Sequence, residues 1–144
     1  LRGCALRVVL ERPGLACDRQ RVEEVGVHPQ LNDGSGLSYS DSTSPWQVVT
    51  VLRQLYLNPD FFNSLAIAGQ TGTLQNYSQG TAAQGNCHGK TGTLRAVANL
   101  VGYCRARDGH ELAFAFLANG IGDTNYVHAV EANDMAAALA RYTG

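Results

Sequence analysis

The chain has 144 residues, 44% of them hydrophobic, and eleven Lys plus Arg against twelve Asp plus Glu give a formal net charge of -1. That length supports a core burying roughly two-thirds of the unfolded surface, so one domain or a piece of one is expected. The near-neutral balance, free of like-charge runs, lacks the footprint of a nucleic-acid or anionic-membrane binder, and no apolar stretch approaches the roughly 20 residues of a membrane helix.

The chain opens on Leu1, its one methionine is Met135, and no charged start precedes an apolar run. A fragment lacking its N-terminal part is therefore the expectation. Cys4, Cys17, Cys87 and Cys104 form an even set without the C-x-x-C spacing of a zinc site, so no metal site is expected. Two disulfides, and with them an exported location, are one reading; buried free thiols are the other.

In chain order, Leu6, Val9 and Leu10 stand near helical spacing before Pro13-Gly14, and stretch 1–11 is predicted to be the end of a helix. Residues 19–26 are ambiguous, and Pro29-Gln-Leu-Asn32 suggests a brief strand. Asp33-Gly-Ser-Gly-Leu-Ser38 has the composition of a surface turn. Ser44-Pro-Trp-Gln47 is a helix start with a capping box, followed by an apolar stripe through Val48, Val49, Leu52, Leu55 and Tyr56. Asn58-Pro59-Asp60 ends that helix and caps another, predicted through Phe61, Phe62, Leu65 and Ile67 to Gly69; Trp46 and the two phenylalanines read as core.

Ala68-Gly-Gln-Thr-Gly-Thr-Leu74 is a second Gly/Thr turn, with polar residues continuing to Gly85. Strands are then predicted at 89–94, 97–105 and 110–119, with Asp108-Gly109 as a hairpin signal. In the last strand Leu112, Phe114 and Phe116 share one face while Ala113 and Ala115 share the other. The small face should admit a helix closely, and the helix predicted at 125–142, with Val127, Val130, Met135 and Leu139 on one side, is the candidate. An antiparallel meander closed by a C-terminal helix results, an α+β architecture.

Lys90 is the one lysine, all other cationic positions being Arg, and it lies in Cys87-His-Gly-Lys-Thr-Gly-Thr-Leu94. A phosphate-binding loop is excluded, because that motif needs four residues between its glycines and Gly85 and Gly89 enclose three. The residues after Lys90 are also strand-like rather than helical. The triplet instead resembles the Lys-Thr-Gly element of penicillin-interacting serine enzymes, which implies a substrate peptide ending in a carboxylate. Thr91 and Thr93 point to one face of an extended chain, Gly92 leaves room for a substrate backbone, and Lys90 supplies a charge that steers a carboxylate.

Asp33-Gly-Ser-Gly-Leu-Ser38, Ala68-Gly-Gln-Thr-Gly-Thr-Leu74 and Gly89-Lys-Thr-Gly-Thr-Leu94, in this order and followed by Asn99-Leu-Val-Gly102, resemble the C-terminal part of the D-alanyl-D-alanine carboxypeptidase/endopeptidase penicillin-binding proteins (class C). The resemblance runs from about Leu6 to the end. It implies an α/β fold of α+β type, the C-terminal part of the penicillin-binding protein/serine beta-lactamase-like fold, with a five-stranded antiparallel sheet between helices. Residues 1–144 would be the C-terminal part of a single DD-peptidase (transpeptidase-like) domain. The implied activity is serine-type acyl transfer on peptidoglycan, without a cofactor. The implied partners are the peptidoglycan stem peptide and beta-lactam antibiotics, and the implied location is extracytoplasmic in a bacterium: periplasm, cell envelope or secreted.

By the same resemblance Lys90, Thr91 and Gly92 form the third catalytic motif. The Thr91 and Thr93 hydroxyls would bind the terminal carboxylate, the Thr93 N–H would donate to the oxyanion, and its C=O would receive the substrate amide. Ser35 would lie in a turn bordering the cleft, with Leu37 and Tyr39 near the substrate side chain.

Departures from the family pattern are as informative. With Lys90 the only lysine, no Ser-x-x-Lys exists in these residues, and no Ser-x-Asn serves as a second motif. The segment alone is expected to be inactive; a non-catalytic module binding peptidoglycan stems or beta-lactams is the alternative. Family members commonly carry Arg where Tyr39 stands and a small polar residue where Arg95 stands, so a guanidinium is expected to have moved from one wall of the cleft to the other, with a changed preference for the substrate side chain. Finally, a hairpin turning between Leu94 and Val97 pairs residues whose numbers sum to 191, which opposes Cys87 to Cys104. Cys4 with Cys17 would be the second bridge.

Overall fold

The computed structural model describes residues 29–144, together with the backbone of 4–9. Its elements are β1 (Cys4–Val9), α1 (Pro45–Leu55), α2 (Pro59–Ser64), β2 (Ala66–Ile67), β3 (Cys87–Leu94), β4 (Val97–Arg105), β5 (Glu111–Asn119), α3 (Thr124–Ala129), a π-helical turn (Val130–Met135) and α4 (Ala136–Ala140). One five-stranded sheet runs in the order β1-β5-β4-β3-β2, antiparallel at every pairing. Helices lie on both of its faces, which is the α+β architecture expected.

Two element predictions are corrected. The opening stretch is not the end of a helix: Cys4–Val9 is a strand, with Leu6 opposite Phe116 and Val8 opposite Phe114. The β-branched Val8-Val9 pair favours that state, and β1 covers an edge of β5 that would otherwise expose unpaired backbone groups. The second helix is also shorter. It stops at Ser64, and Ala66–Ile67 becomes β2, pairing with Gly89 and His88. Pro13-Gly14 and residues 19–26 lie outside the described residues. Pro29-Gln-Leu-Asn32 contributes one isolated bridge, Gln30 to Ser42.

The helix starts are built as their sequences require. Ser44 accepts from the Gln47 N–H while the Gln47 side chain accepts from the Ser44 N–H, closing the capping box of α1. Asn58 caps α2 through the Phe61 N–H at 3.1 Å.

The two sheet faces take their helices in the opposite arrangement from the one expected. The face of Leu112, Phe114 and Phe116 is covered by the C-terminal helical segment through Ala132, Ala136, Ala137, Leu139 and Ala140. Large side chains on the sheet meet small ones on the helix, and an alanine surface allows that approach. The Ala113 face instead receives α1 and α2, through Leu52, Val48, Phe61 and Phe62 around Tyr103. There the helix supplies the volume, Val49 and Leu52 each being worth about 1.5–3 kcal/mol of burial. The buried Tyr103 hydroxyl donates to the Leu52 carbonyl, and burial pushes that phenol up to about 12.

Strands β3 and β4 follow the predicted register, from Cys87↔Cys104 to Leu94↔Val97. The two cysteines are bridged, with Cα atoms 4.1 Å apart. Gly89 and Gly102 face each other in this ladder, and a Cβ on Gly102 would lie 2.0 Å from the His88 carbonyl oxygen. Cys17 lies outside the described residues, so a bridge to Cys4 remains an expectation from the sequence.

Candidate active site

The two halves of β3 have different surroundings. Beside Cys87 to Gly89 the strand is paired on both sides, by β4 and by β2, but β2 ends opposite Gly89. From Lys90 onward no strand among the described residues covers the outer edge. The Arg105 N–H donates to the Asn86 carbonyl at 2.8 Å, and the Cys87 carbonyl accepts from Ala68 on the other side at 2.9 Å. Backbone groups alternate along a ladder, so those of Thr91 and Thr93 point out of the open edge. The Lys90 ammonium folds onto that edge and donates to the Thr91 carbonyl at 2.7 Å.

Side chains alternate in the same way. Lys90 and Gly92 belong to the α1/α2 face, while Thr91 and Thr93 belong to the face of the C-terminal helices. Both hydroxyls are held by the protein. Thr91 Oγ1 donates to Thr73 Oγ1 at 2.9 Å, and Thr93 Oγ1 lies 2.7 Å from His128 Nε2. His128 Nδ1 in turn lies 3.2 Å from Glu131 Oε2, and both of these side chains are buried. Burial pushes Glu131 up to about 7 and holds His128 below the usual imidazole value.

Gly92 has space on its protein side: a Cβ there would meet Asn99 Cβ at 3.6 Å, an ordinary contact. Its lack of a side chain is therefore not demanded by its neighbours, in contrast to Gly102.

Past the tip of β3 the Arg95 N–H donates to the Tyr39 hydroxyl at 3.1 Å. This bond brings the Leu37–Tyr39 loop beside the open strand, with both side chains largely exposed. Ser35 is engaged inside its own turn: its hydroxyl donates to Asp33 at 2.6 Å and accepts from the Leu37 N–H at 3.1 Å. Hydrogen bonds from Ser35 hold the Asp33 carboxyl below its ordinary value. The structure thus places Lys90, Thr91, Gly92 and Thr93 along one open edge, with Arg95 and Tyr39 joined past its tip and Leu37 and Ser35 on the loop that carries Tyr39. Among the described residues no cluster of His, Cys, Asp or Glu suits a metal ion.

Thr73, His128 and Glu131 were not singled out from the sequence. A signal existed for each. The string Thr-Gly-Thr-Leu occurs twice, at 71–74 and 91–94, and its two copies meet through Thr73 and Thr91. His128 and Glu131, spaced i,i+3, stand among Val127, Ala129, Val130 and Ala132 in an alanine-rich helical segment.

Comparison with solved structures gives the class. Penicillin binding protein 4 (dacB) from Haemophilus influenzae, in complex with a beta-lactam, superposes with a TM-score of 0.61 at 29% identity over 74% of this chain and 27% of that one. A Bdellovibrio bacteriovorus predatory endopeptidase shares the fold, with a TM-score of 0.60 at 18% identity over 78% of this chain and 31% of that one. The fold is thus that of the class C penicillin-binding proteins. More narrowly, residues 12–142 match the model of the D-Ala-D-Ala carboxypeptidase 3 (S13) family, and the chain belongs to that family. It is 42% identical over 98 residues to the D-alanyl-D-alanine carboxypeptidase of Actinomadura sp. (strain R39), covering 62% of this chain and 18% of that enzyme. Against D-alanyl-D-alanine carboxypeptidase DacB of Haemophilus influenzae it is 33% identical, over 62% of this chain and 20% of the relative. The chain therefore spans about a fifth of the length of these relatives.

Proposed function

We propose that these residues form the carboxylate-binding wall of a serine-type D-Ala-D-Ala carboxypeptidase/endopeptidase acting on peptidoglycan stem peptides and acylated by beta-lactams. The observation that carries this reading is the open edge of β3 beyond Gly89, where Lys90, both threonine hydroxyls and the outward backbone groups of Thr93 converge. A stem peptide extends along that edge as an added strand. Its terminal carboxylate accepts from Thr91 and Thr93 under the charge of Lys90, which raises the local concentration of the anion. The Thr93 N–H donates to the oxyanion of the tetrahedral intermediate, a contact worth about 3–4 kcal/mol in transition-state stabilisation. Its carbonyl accepts the substrate amide and fixes the scissile bond in register.

The nucleophile and its base are assigned to sequence outside these 144 residues, because no Ser-x-x-Lys occurs within them. Residues 1–144 are accordingly the C-terminal part of one DD-peptidase domain, inactive alone, and the protein works outside the bacterial cytoplasm. Among the described residues no helix is long and apolar enough to cross a membrane. The missing nucleophile also favours a second reading, a module that binds stem peptides or beta-lactams without turnover.

Fluorescent penicillin labelling of the full-length protein separates the two. A covalent, denaturation-resistant label that benzylpenicillin blocks supports the enzyme. Reversible binding without a covalent label supports the module, and no binding in either form removes both.

A further inference from the structure

We propose that His128 and Glu131 are positioning residues that hold one shared proton and thereby set whether the Thr93 hydroxyl donates its hydrogen into the cleft or back into the protein. This inference rests on the reading of Thr93 as a ligand of the substrate carboxylate and deepens it.

The geometry leaves few arrangements. His128 Nε2 is 2.7 Å from Thr93 Oγ1 and His128 Nδ1 is 3.2 Å from Glu131 Oε2, so one hydrogen must lie in each contact. Suppose the pair holds no extra proton, with Glu131 ionised and His128 neutral. Nδ1 then carries the imidazole hydrogen, since a bare nitrogen facing a carboxylate is repulsive, and Nε2 is an acceptor. Thr93 must donate to it, and only oxygen lone pairs face the cleft. A substrate carboxylate meets them unfavourably. With one proton added, the imidazolium beside a carboxylate and the neutral imidazole beside a carboxylic acid both carry hydrogen on Nε2. Nε2 then donates to Thr93, whose own O–H is free for the substrate carboxylate.

The site favours holding that proton. Glu131 is 2% exposed and its Oε1 has no hydrogen-bond partner among the described residues, which disfavours the ionised form. Its raised value agrees. Among the described residues, the elements packed around the pair bring it no compensating charge. From β3 come Thr91 and Thr93, from β4 Ala98 and Leu100, and from β5 Phe114 and Phe116. The 75–86 loop brings Ser78, whose hydroxyl donates to the Ala132 carbonyl at 2.7 Å, and packs the phenol of Tyr77 against the same core. On the helical segment itself, Asp123 caps α3 one turn away by accepting the Tyr126 N–H. The bond from Ser78 takes up a carbonyl within the π-helical turn that carries Glu131, so the pair sits on a braced segment.

The test uses the full-length protein and two peptides, one ending in D-Ala-D-Ala and the same peptide with a C-terminal carboxamide, which supplies both a donor and an acceptor. With the wild type, KM for the carboxylate peptide is expected to rise about tenfold or more as pH climbs through neutrality, the loss of one hydrogen bond to a charged group, while the carboxamide shows no such limb. In His128→Gln no titrating ring faces Thr93, and the limb should flatten. A limb that persists in His128→Gln, or that appears equally with the carboxamide, overturns the proposal. Nitrogen NMR of the His128 ring in the wild type needs no variant: Nε2 should carry hydrogen on the acid side and lose it on the basic side, and an Nε2 protonated or bare throughout is contrary. Thr93→Val distinguishes the underlying reading. If it leaves the preference for carboxylate over carboxamide intact, Thr93 is not the ligand. If it abolishes the preference while the limb survives His128→Gln, only the shared proton is wrong.

Discussion

Within the eight residues of β3 the same strand does two jobs, and its halves differ in almost every physical respect. The half from Cys87 to Gly89 is paired on both sides, bridged to Cys104 and closed against Gly102 without room for a methyl group. The half from Lys90 to Leu94 has no strand among the described residues on its outer edge and holds its threonine hydroxyls through Thr73 and His128. An open edge is normally a liability in a sheet. Here the anchored half is paired on both sides and bridged, and the other half is left available by the abrupt end of β2, so the proposed substrate edge adjoins a doubly paired segment.

The two glycines at these ends should respond oppositely. Gly102→Ala forces a Cβ onto the His88 carbonyl, backbone against backbone, and urea denaturation of the full-length protein is expected to lose about 3 kcal/mol or more. Gly92→Ala should change stability by less than about 1 kcal/mol, yet slow penicillin acylation by about tenfold or more, because the methyl group occupies the substrate's path. Equal losses of stability in the two variants would erase the distinction between the halves.

Next in size is the bridge. Cys87 and Cys104 are 17 residues apart, and opening that loop in the unfolded chain costs roughly 2–3 kcal/mol of stability. Comparing Cys87→Ala/Cys104→Ala with the wild type by thermal melting checks this. The acylation rate of the folded variant should stay within about twofold, since the bridge lies at the anchored end.

A smaller effect concerns pH. Glu131 is raised to about 7 from 4.5, so between those values the folded protein holds a proton that the unfolded chain has released. Stability from this group is full below about 4.5 and is lost as pH rises through about 7. In Glu131→Gln that decline, on the order of 1–3 kcal/mol, should be absent from denaturation curves collected across the range. His128, shifted downward by burial, contributes in the opposite sense and partly offsets it.

The smallest effect tests the exposed rim. Arg95 meets the Tyr39 loop at the tip of the open half, and Arg95→Ala should weaken substrates with a free side-chain carboxylate by about fivefold, the scale of an exposed ion pair. Substrates without that carboxylate should be unaffected, as kcat/KM for the two series will tell.

Local chemistry made much of this legible. The capping box at Ser44, the Asn58 cap and the strict alternation of β5 are decided by neighbours a few residues away, and the hairpin register came from a two-residue turn, which also gave the Cys87–Cys104 pairing. What escaped the sequence depended on partners far along the chain. Cys4–Val9 is a strand because β5, more than a hundred residues later, offers an edge to it. Which helix covers which face of β5 was misjudged because small residues on a sheet and small residues on a helix are equally good ways to achieve close packing. At the site, Lys90 to Thr93 stood out by composition, whereas His128 and Glu131 gain their meaning only when the C-terminal helical segment lays them beside Thr93.

In the proposed function the open half of β3 binds the substrate carboxylate and the oxyanion. A crystal structure of the full-length protein acylated by benzylpenicillin tests it most directly. The adduct carboxylate is expected within hydrogen-bond distance of the Thr91 and Thr93 hydroxyls, with the acyl oxygen on the Thr93 N–H. An adduct whose carboxylate is bound elsewhere, with the edge of Lys90 to Leu94 left empty, would contradict it.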